Sequence, residues 1–307
     1  MTKKWKQADR LVATYLRSGE KEIHRAYVTA LKEIRNHISL AYERYGGDFV
    51  SMQKYQRLLK LEQQIGQELR IMTIRTSAAT RKAVGKTFAQ SYYTTGWIFE
   101  SEIQARIGFG LLPAKQIEAA IYSPFDPLKW SERLRNSSRL LNEHIRGEIT
   151  QGLIQGKSYQ QTASAVRERL LISEKRALRI VRTETHRAQV QGRLDGFEQA
   201  RDAGVDFRLQ WVATLDSRTR DSHQDMDGQI AERIDEQDIF TSSEGVTTTG
   251  PGLSGVPEFD INCRCSTIAV IDGFEATDRR ARDPATGKGE MVPNMTYHDW
   301  AELKGVA

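Results

Sequence analysis

The stretch ADRLVATYLRSGEKEIHRAYVTALKEIRNHISLAYERY, residues 8–45, decides the fold of the N-terminal part of the chain. Its small and apolar residues recur every 3.7 positions on average from Ala8 to Tyr45, while Lys, Arg and Glu occupy the other faces. This period is typical of an α-helix with one buried stripe. Proline is absent from residues 1–112, and Gly46-Gly47 follows the stretch. We therefore predict one long helix that ends at the two glycines.

A second apolar stripe follows at similar spacing, from Met52 to Met72. Because the two glycines separate it from the first stripe, the pattern predicts a long antiparallel helical hairpin. A third helix is predicted over about residues 77–106 by the same periodicity. We interpret residues 1–125 as a helical arm.

Prolines mark a boundary between this arm and the rest of the chain. They are Pro113, Pro124 and Pro127. Helical periodicity then resumes from Trp130 to Ile154. Ser158 is a suitable N-cap for a short helix to about Leu170, and Ser173 for a further helix to about Gly204.

The pattern of residues changes after this last helix, from helical periodicity to alternating and loop-forming segments. Residues 207–215 and 261–271 alternate apolar and polar side chains and predict strands. A compact polar segment covers residues 216–228, and a loop rich in glycine, serine and threonine covers 241–256. The sequence after Gly273 is polar and predicts turns.

These patterns predict an α+β protein, in which a long N-terminal helical hairpin precedes a smaller module of mixed helices and strands. The predicted divisions are a helical arm over 1–125, the mixed module over 126–272 and an extended C-terminal tail over 273–307.

The composition excludes several classes of protein. The chain has 307 residues, of which 39% are hydrophobic and 28% charged, and its mean hydropathy is −0.56. The longest apolar run, Ile268 to Ile271, is far shorter than the ~20 residues of a membrane-spanning helix. No apolar segment follows the basic start as in a secretory signal. With only two cysteines a disulfide scaffold is excluded. We expect a soluble protein of a reducing compartment, with no membrane partner.

Charge is distributed unevenly along the chain. Residues 1–100 contain 18 Lys and Arg against nine Asp and Glu, a net charge of +9, whereas the remainder carries −4. A basic arm can contact an acidic partner such as DNA; alternatively, these side chains only form the solvated faces of helices. The candidate nucleic-acid residues are Lys3, Lys4, Lys6, Arg10, Arg81, Lys82 and Lys86.

Two cysteines near the predicted second strand are candidates for a metal site. Residues two apart in a strand share a face, so Cys263 and Cys265 would point the same way. Together with His223 they could hold zinc, which takes four ligands. The remaining ligand would come from Asp216, Asp221, Asp225 or His186. The alternative is two reduced thiols packed behind a loop, without any cofactor.

Catalytic alternatives use the same residues. A cysteine with His223 and an Asp could form a thiol dyad. His223 with Asp216, Asp221 and Asp225 could instead form a metal-dependent nuclease or hydrolase site. Phosphate-loop, dinucleotide-binding and His-Glu-x-x-His motifs are absent.

A non-enzymatic polar network explains these residues better. Its arginine and asparagine donors would clamp the strand 261–271 against the segment 211–228 by binding aspartates. The donors are Arg218, Arg220, Arg264 and Asn262.

The sequence resembles the phage Mu F-like head morphogenesis family, the minor head proteins of tailed bacteriophages. The resemblance covers about residues 130–272. One departure is that many relatives carry His-Pro just before the Cys pair, whereas this chain has Glu258-Phe259-Asp260-Ile261, so a metal ligand supplied by that histidine would be missing here. Its motifs are RTETHRA at 182–188, W-x-x-x-x-D-x-R-T-R-x-x-H at 211–223, Asp227-Gly228 and N-C-R-C at 262–265. The resulting structural network consists of Arg182, Glu184, Arg187, Trp211, Asp216, Arg218, Arg220, His223, Gly228, Asn262, Cys263, Arg264 and Cys265.

The resemblance implies a non-catalytic virion protein present in few copies, at the portal vertex or capsid interior, and in the host cytoplasm during assembly. Its implied partners are the portal protein and capsid or scaffold subunits. It also implies DNA contact and a role in head assembly, DNA packaging or ejection.

Overall fold

The computed structural model describes residues 3–123, 129–271 and 278–306, except for the side chains of Lys3 and Tyr55. Pro124, Pro127 and Gly273, where boundaries are predicted, lie outside these residues. The chain divides into two compact units. Unit 1 contains Met1–Leu16, Val84–Pro127 and Arg182–Ala307, and unit 2 contains Arg17–Ala83 and Leu128–Val181.

Helices dominate the first 202 residues. They are α1 (Lys3–Tyr45), α2 (Phe49–Gln53), α3 (Arg57–Ile103), α4 (Ala114–Tyr122), α5 (Trp130–Ile154) and α6 (Tyr159–Asp202), with a 3₁₀ turn at Lys54–Gln56. The unit boundaries fall within α1, α3 and α6. Because α1, α3 and α6 each contribute residues to both units, neither unit is one continuous segment of the chain. None of the described helices combines the length and apolarity needed to cross a bilayer.

Helices α1 and α3 run antiparallel, as the predicted hairpin requires. In unit 2, Glu22 binds Lys82 at 2.9 Å. In unit 1, the hydroxyl of Tyr15 donates to Gln90 at 3.2 Å. The predicted stripes supply the core of unit 2, which buries Ile23, Ile34, Ile38, Leu61, Ile65 and Leu69. The prediction fails locally at Leu11, which is 41% exposed while Val12 is buried.

Two predicted helix breaks are wrong. The second and third predicted helices form the single helix α3, and the helices predicted on either side of Ser173 form the single helix α6. In α3 the hydroxyl of Thr80 is satisfied by the backbone oxygen of Thr76, so the polar residues there do not interrupt the helix. Ser173 does not cap a helix because its hydroxyl pairs with that of Tyr27 at 3.0 Å. Ser158 does cap α6, since its hydroxyl accepts from the backbone of Gln161.

Unit 1 also contains the strands. They are β1 (Arg208–Val212), β2 (Glu232–Ile234), β3 (Gln237–Thr241), β4 (Thr247–Thr248), β5 (Ser266–Val270), β6 (Asp278–Arg282) and β7 (Gly289–Pro293). These strands pair antiparallel with one another, in the orders β1-β5, β2-β3-β4 and β6-β7. Three short helices accompany them: α7 (Asp221–Asp225), α8 (Pro257–Asp260) and α9 (Tyr297–Lys304). Aromatic side chains fill the core of unit 1, including Phe197, Phe207, Trp211 and Phe240.

The predicted extended tail is instead folded over the described residues 278–306. Its hairpin β6-β7 and helix α9 enclose a second small core with Leu215 and Trp300, both fully buried. A capping box at Thr296 and Asp299 starts α9. The sequence did not predict β6, β7 and α9 because this small core contains only a few apolar residues, so the segment has a polar composition.

Candidate functional site

Two segments distant in sequence meet because β1 and β5 pair antiparallel. Val212 lies opposite Ser266, so the chain after β1 and the chain before β5 leave the sheet at the same end. The hydroxyl of Thr214 fixes their alignment by donating to the backbone oxygen of Arg264 at 2.7 Å. The motifs at 211–228 and 262–265 therefore form one site within unit 1.

Asp216 is the buried acceptor at the centre of this site. Arg264 donates from Nη2 to Oδ1 at 2.8 Å and from Nη1 to Oδ2, a geometry that matches a carboxylate. The backbone N–H of Arg218 adds a hydrogen bond of 3.0 Å. Burial alone would raise the pKa of Asp216, but the hydrogen bonds and charges of Arg264 and Arg218 lower it to about 2. Asp216 is thus an ionised anchor rather than a base ready to accept a proton.

Backbone geometry supports the same site. Arg220, which precedes α7, donates to the backbone oxygens of Phe259 at 3.3 Å and of Ile261. Gly228 and Asn262 have left-handed φ angles of 84° and 59°. Glycine adopts this conformation freely and asparagine more readily than most residues, so both positions suit the turns they form.

Two thiols and one imidazole lie beside the anchor. The Sγ atoms of Cys265 and Cys263 are 3.4 Å and 3.7 Å from Nδ1 of His223. Ligand atoms of the three residues all lie within 4.8 Å of one another. Both cysteines are free thiols, and all three side chains are buried. We call these three residues the thiol–imidazole cluster.

The sequence predicts that both cysteines lie in a strand, and this is wrong. They lie in the irregular segment before β5. The left-handed Asn262 and the hydrogen bond to the backbone oxygen of Arg264 keep this segment out of the sheet. Aromatic side chains enclose the cluster: the ring of His223 lies 4.2 Å from that of Phe259 and 5.8 Å from that of Trp211, centroid to centroid.

The pKa values of the two thiols are shifted in opposite directions. A hydrogen bond from Cys263 lowers the pKa of Cys265, and the hydrogen bond and charge of His223 lower it further against the effect of burial, to about 5. The same thiol–thiol hydrogen bond, together with burial, raises the pKa of Cys263. Cys265 is therefore the more easily ionised sulfur.

The aspartates proposed as partners of His223 do not join it. Asp221 and Asp225 are exposed, and Asp225 binds Ser243 at 2.9 Å. Within the described ranges, no aspartate or glutamate completes a group of metal ligands with His223. These side chains therefore do not assemble the predicted nuclease or hydrolase site.

His186, also proposed as a ligand, stays outside the cluster. Its Nε2 atom is buried and has no hydrogen-bond partner among the residues that the structure describes. Burial, followed by the charges of Arg193, His223 and Arg264, lowers the pKa of His186 to about 4. This imidazole is therefore neutral near pH 7.

A cavity of about 860 Å³ opens beside the cluster, within unit 1. Four arginines and Cys263 contribute to its wall, while none of the described Asp or Glu residues does. We call it the arginine cavity; its arginines are Arg182, Arg218, Arg220 and Arg264. Its charge favours an anionic group such as a carboxylate or a phosphate.

Three other motif residues, Glu184, Arg187 and Trp211, are buried and contribute to the packing of unit 1. Glu184 and Arg187 form a buried ion pair of 3.0 Å in α6, and Arg187 also donates to the backbone oxygen of Ala120 at 2.6 Å. The pair therefore joins α6 to the end of α4. Trp211 is fully buried in the core rather than part of an ionic network.

One ion pair of this region was missed from the sequence. Arg279 of β6 donates to Asp227 at 2.7 Å and to the backbone oxygen of Ala213 at 2.6 Å, all buried. No local spacing connects Asp227 with Arg279. Only the fold of the C-terminal segment brings them together.

The predicted nucleic-acid residues are divided between the two units, and some of them form ion pairs. Lys4 pairs with Glu102 at 3.3 Å, and Lys82 with Glu22 at 2.9 Å. Arg10 and Lys86 are exposed. The side chain of Lys3 lies outside the described residues. Unit 1 contains Lys4, Lys6, Arg10 and Lys86, whereas unit 2 contains Arg81 and Lys82.

A family model matches part of the chain, and individual relatives match nearly its whole length. The family described as "Phage Mu protein F like protein" matches residues 143–268. The minor head protein GP7 of Bacillus phage SPP1 is 30% identical over 302 residues, covering 97% of this chain and 96% of that protein. No solved structure matches significantly.

A second relative is named for an enzymatic activity. The NAD(+)–arginine ADP-ribosyltransferase EFV of Enterococcus faecalis is 27% identical over 299 residues. That match covers 97% of this chain but spans only 60% of the transferase. The rest of the transferase is not aligned.

Proposed function

This chain belongs to the phage Mu F-like family of minor head proteins, and from that premise we propose that it is a non-catalytic component of the phage head that docks on the portal or capsid during head assembly. The observation that carries the proposal is the match with a minor head protein over 97% of this chain and 96% of the relative. Similarity over nearly the whole of both sequences favours a shared role.

The chemistry of the site supports a structural role. Asp216 is neutralised by Arg264, and the imidazole of His223 faces two thiols. A general acid–base mechanism needs a group that exchanges a proton with a substrate. Asp221 and Asp225, the carboxylates proposed to act with His223, are exposed and lie outside its group of ligands, and the two thiols that do face His223 are buried. We therefore assign no catalytic residue. ADP-ribosyl transfer is not part of the proposal, because the match leaves much of EFV unaligned.

The arginine cavity supports docking through charge. Arg218 contributes an exposed guanidinium to its wall, with 67% of the side chain accessible. We propose that carboxylates of a portal or capsid subunit enter this cavity. Arginine pairs with carboxylates in two-pronged hydrogen bonds, so the contact would be specific as well as attractive.

DNA contact is a further part of the proposal. The excess of basic residues in the first hundred positions supports it, as do the exposed side chains of Arg10 and Lys86 in unit 1. This contact would place the protein at the interior of the head, where it could assist packaging or ejection.

Co-sedimentation tests the docking role. The chain is expressed with the coat, scaffold and portal proteins of its own phage, and the assembled heads are separated by centrifugation. We expect the wild-type chain to travel with the heads and Arg218→Glu to be depleted at least about fivefold, because like charge repels the acidic partner. Arg139→Glu, an equally exposed arginine on α5, should behave as the wild type.

A wild-type chain that stays in the supernatant would contradict the docking role. Equal recovery of Arg218→Glu and wild type would refute the arginine cavity as the contact. Cleavage of plasmid DNA in Mg²⁺ or Mn²⁺ that disappears in His223→Ala would contradict the non-catalytic assignment.

A further inference from the structure

The geometry points to a zinc site: His223, Cys263 and Cys265 bind one Zn²⁺ ion through Nδ1 and the two sulfur atoms. This inference concerns the fold of unit 1 and goes beyond the proposed role in head assembly. It does not depend on that role.

The distances agree with tetrahedral coordination. With Zn–S bonds of about 2.3 Å and Zn–N bonds of about 2.05 Å, a sulfur and a nitrogen on one zinc ion lie about 3.6 Å apart. The two observed separations, 3.4 Å for Cys265 and 3.7 Å for Cys263, lie on either side of this value. Both sulfurs approach the same nitrogen, Nδ1, which leaves room for one shared ion rather than two.

The surroundings also favour a metal. The three residues are between 1% and 5% exposed and lie among aromatic rings. Two thiols gain little from hydrogen bonds in such a place. Two thiolates and one Zn²⁺ ion form a group without net charge, which can be buried at lower cost than a single thiolate. Sulfur ligands select zinc over magnesium or calcium, which prefer oxygen.

The protein holds the ligands in place from both sides. His223 lies on α7, and Arg220 ties the start of that helix to the backbone at Phe259 and Ile261. The Cys segment is held by Thr214 through the backbone oxygen of Arg264. Such supports fix ligand orientation and raise metal affinity.

Three protein ligands leave one corner of the tetrahedron. No other described His, Cys, Asp or Glu places a ligand atom within reach of all three. Of the cluster, Cys263 contributes to the wall of the arginine cavity. We assign the fourth position to a water molecule that enters from this cavity.

Metal analysis of the full-length chain tests the site. The untagged protein is produced in zinc-supplemented medium, dialysed against a weak chelator and measured by mass spectrometry of the metal. We expect about one zinc per chain in the wild type. Cys263→Ser, Cys265→Ser and His223→Gln should each weaken zinc binding by more than about 100-fold, since even the supports of metal ligands contribute about 10–100-fold. His298→Gln, at an exposed histidine, should retain the zinc.

Cobalt substitution provides a second measurement. Co²⁺ in the wild type should give the visible bands of tetrahedral cobalt and a near-ultraviolet thiolate band, and either serine variant should lose these bands at the cobalt concentration that saturates the wild type. If the variants do not fold, titration of the wild-type thiols with a mercurial reagent should release zinc in proportion to the thiols blocked. Less than about one zinc per ten wild-type chains, or zinc retained in Cys265→Ser, would overturn the assignment. Zinc lost from His298→Gln as well would mean unspecific surface binding and would equally overturn it.

Discussion

Asp216 illustrates how one side chain holds several parts of this molecule. Its carboxylate accepts two hydrogen bonds from Arg264 and one from the backbone of Arg218. Its backbone oxygen accepts from the hydroxyl of Tyr297 in α9 at 3.2 Å. Asp216 therefore connects the segment after β1 with the segment before β5 and with the C-terminal helix. A lost charge here should affect folding rather than chemistry.

The acidity of Asp216 predicts a pH-dependent stability. Its folded-state pKa, about 2, lies below the ordinary value of 3.8, so the ionised form stabilises the fold. This contribution is fully present above pH 4–5 and is lost as the pH falls through about 2. We expect Asp216→Asn to lose about 2 kcal/mol of unfolding free energy at pH 7, from a pKa difference of nearly two units. The difference from wild type should shrink between pH 4 and pH 2.

Urea midpoints followed by tryptophan fluorescence from pH 7 to pH 2 provide the measurement. Asp221→Asn is the matched control, because that nearby carboxylate is exposed; it should leave the midpoint nearly unchanged. A wild-type–Asp216→Asn difference that stays constant down to pH 2 would show that the carboxylate contributes through its shape rather than its charge.

Helix and strand boundaries differ in how far the sequence predicts them. The extent of α1 follows from a single unbroken stripe, and Ser158 marks the start of α6 correctly. The break predicted at Ser173 depended on local capping, whereas the residue pairs with Tyr27 of another helix. Strands β6 and β7 were not predicted, since a hairpin of five-residue strands carries little periodic signal.

The composition of the site was easier to predict than its arrangement. The motifs identified Asp216, Arg264, His223 and both cysteines. The sequence could not show that His223 meets the thiols while Asp221 and Asp225 turn outward. That outcome depends on the register of β1 against β5 and on the bend at Asn262, which no spacing along the chain determines.

Close helix packing predicts opposite effects for two glycines. A Cβ atom at Gly192 of α6 would lie 2.3 Å from the backbone oxygen of Phe88 in α3, whereas one at Gly147 of α5 would meet nothing within 4 Å. We expect Gly192→Ala to destabilise the protein by about 1–3 kcal/mol, because the helix backbones must move apart. Gly147→Ala should stabilise it by up to about 1 kcal/mol through helix propensity.

Thermal unfolding of both variants by circular dichroism checks this pair, with Gly147→Ala serving as the control for the glycine-to-alanine change itself. A melting temperature for Gly192→Ala at or above that of the wild type would mean that α3 and α6 tolerate a wider separation.

Some basic side chains of the chain form internal ion pairs, and others are available to bind a partner. The net charge is +5, with an excess of +9 in the first hundred residues. Part of that excess is internal, because Lys4 binds Glu102, a carboxylate that lies outside the first hundred residues. The basic face open to DNA is therefore smaller than the count of lysines and arginines indicates.

The salt dependence of DNA binding measures this face directly. If the chain contacts about six phosphates, log affinity should fall with log salt at a slope near −5. Arg10→Gln combined with Lys86→Gln removes two exposed cations of unit 1 and should reduce the magnitude of the slope by about two, equally for unrelated DNA sequences. Arg135→Gln with Arg139→Gln, on α5 outside the basic region, is the matched control. Fluorescence anisotropy with a labelled duplex over a range of salt concentrations gives both slopes. Binding that is insensitive to salt, or a slope unchanged by the first pair, would place any DNA contact elsewhere, because phosphate contacts cannot be lost without releasing fewer counterions.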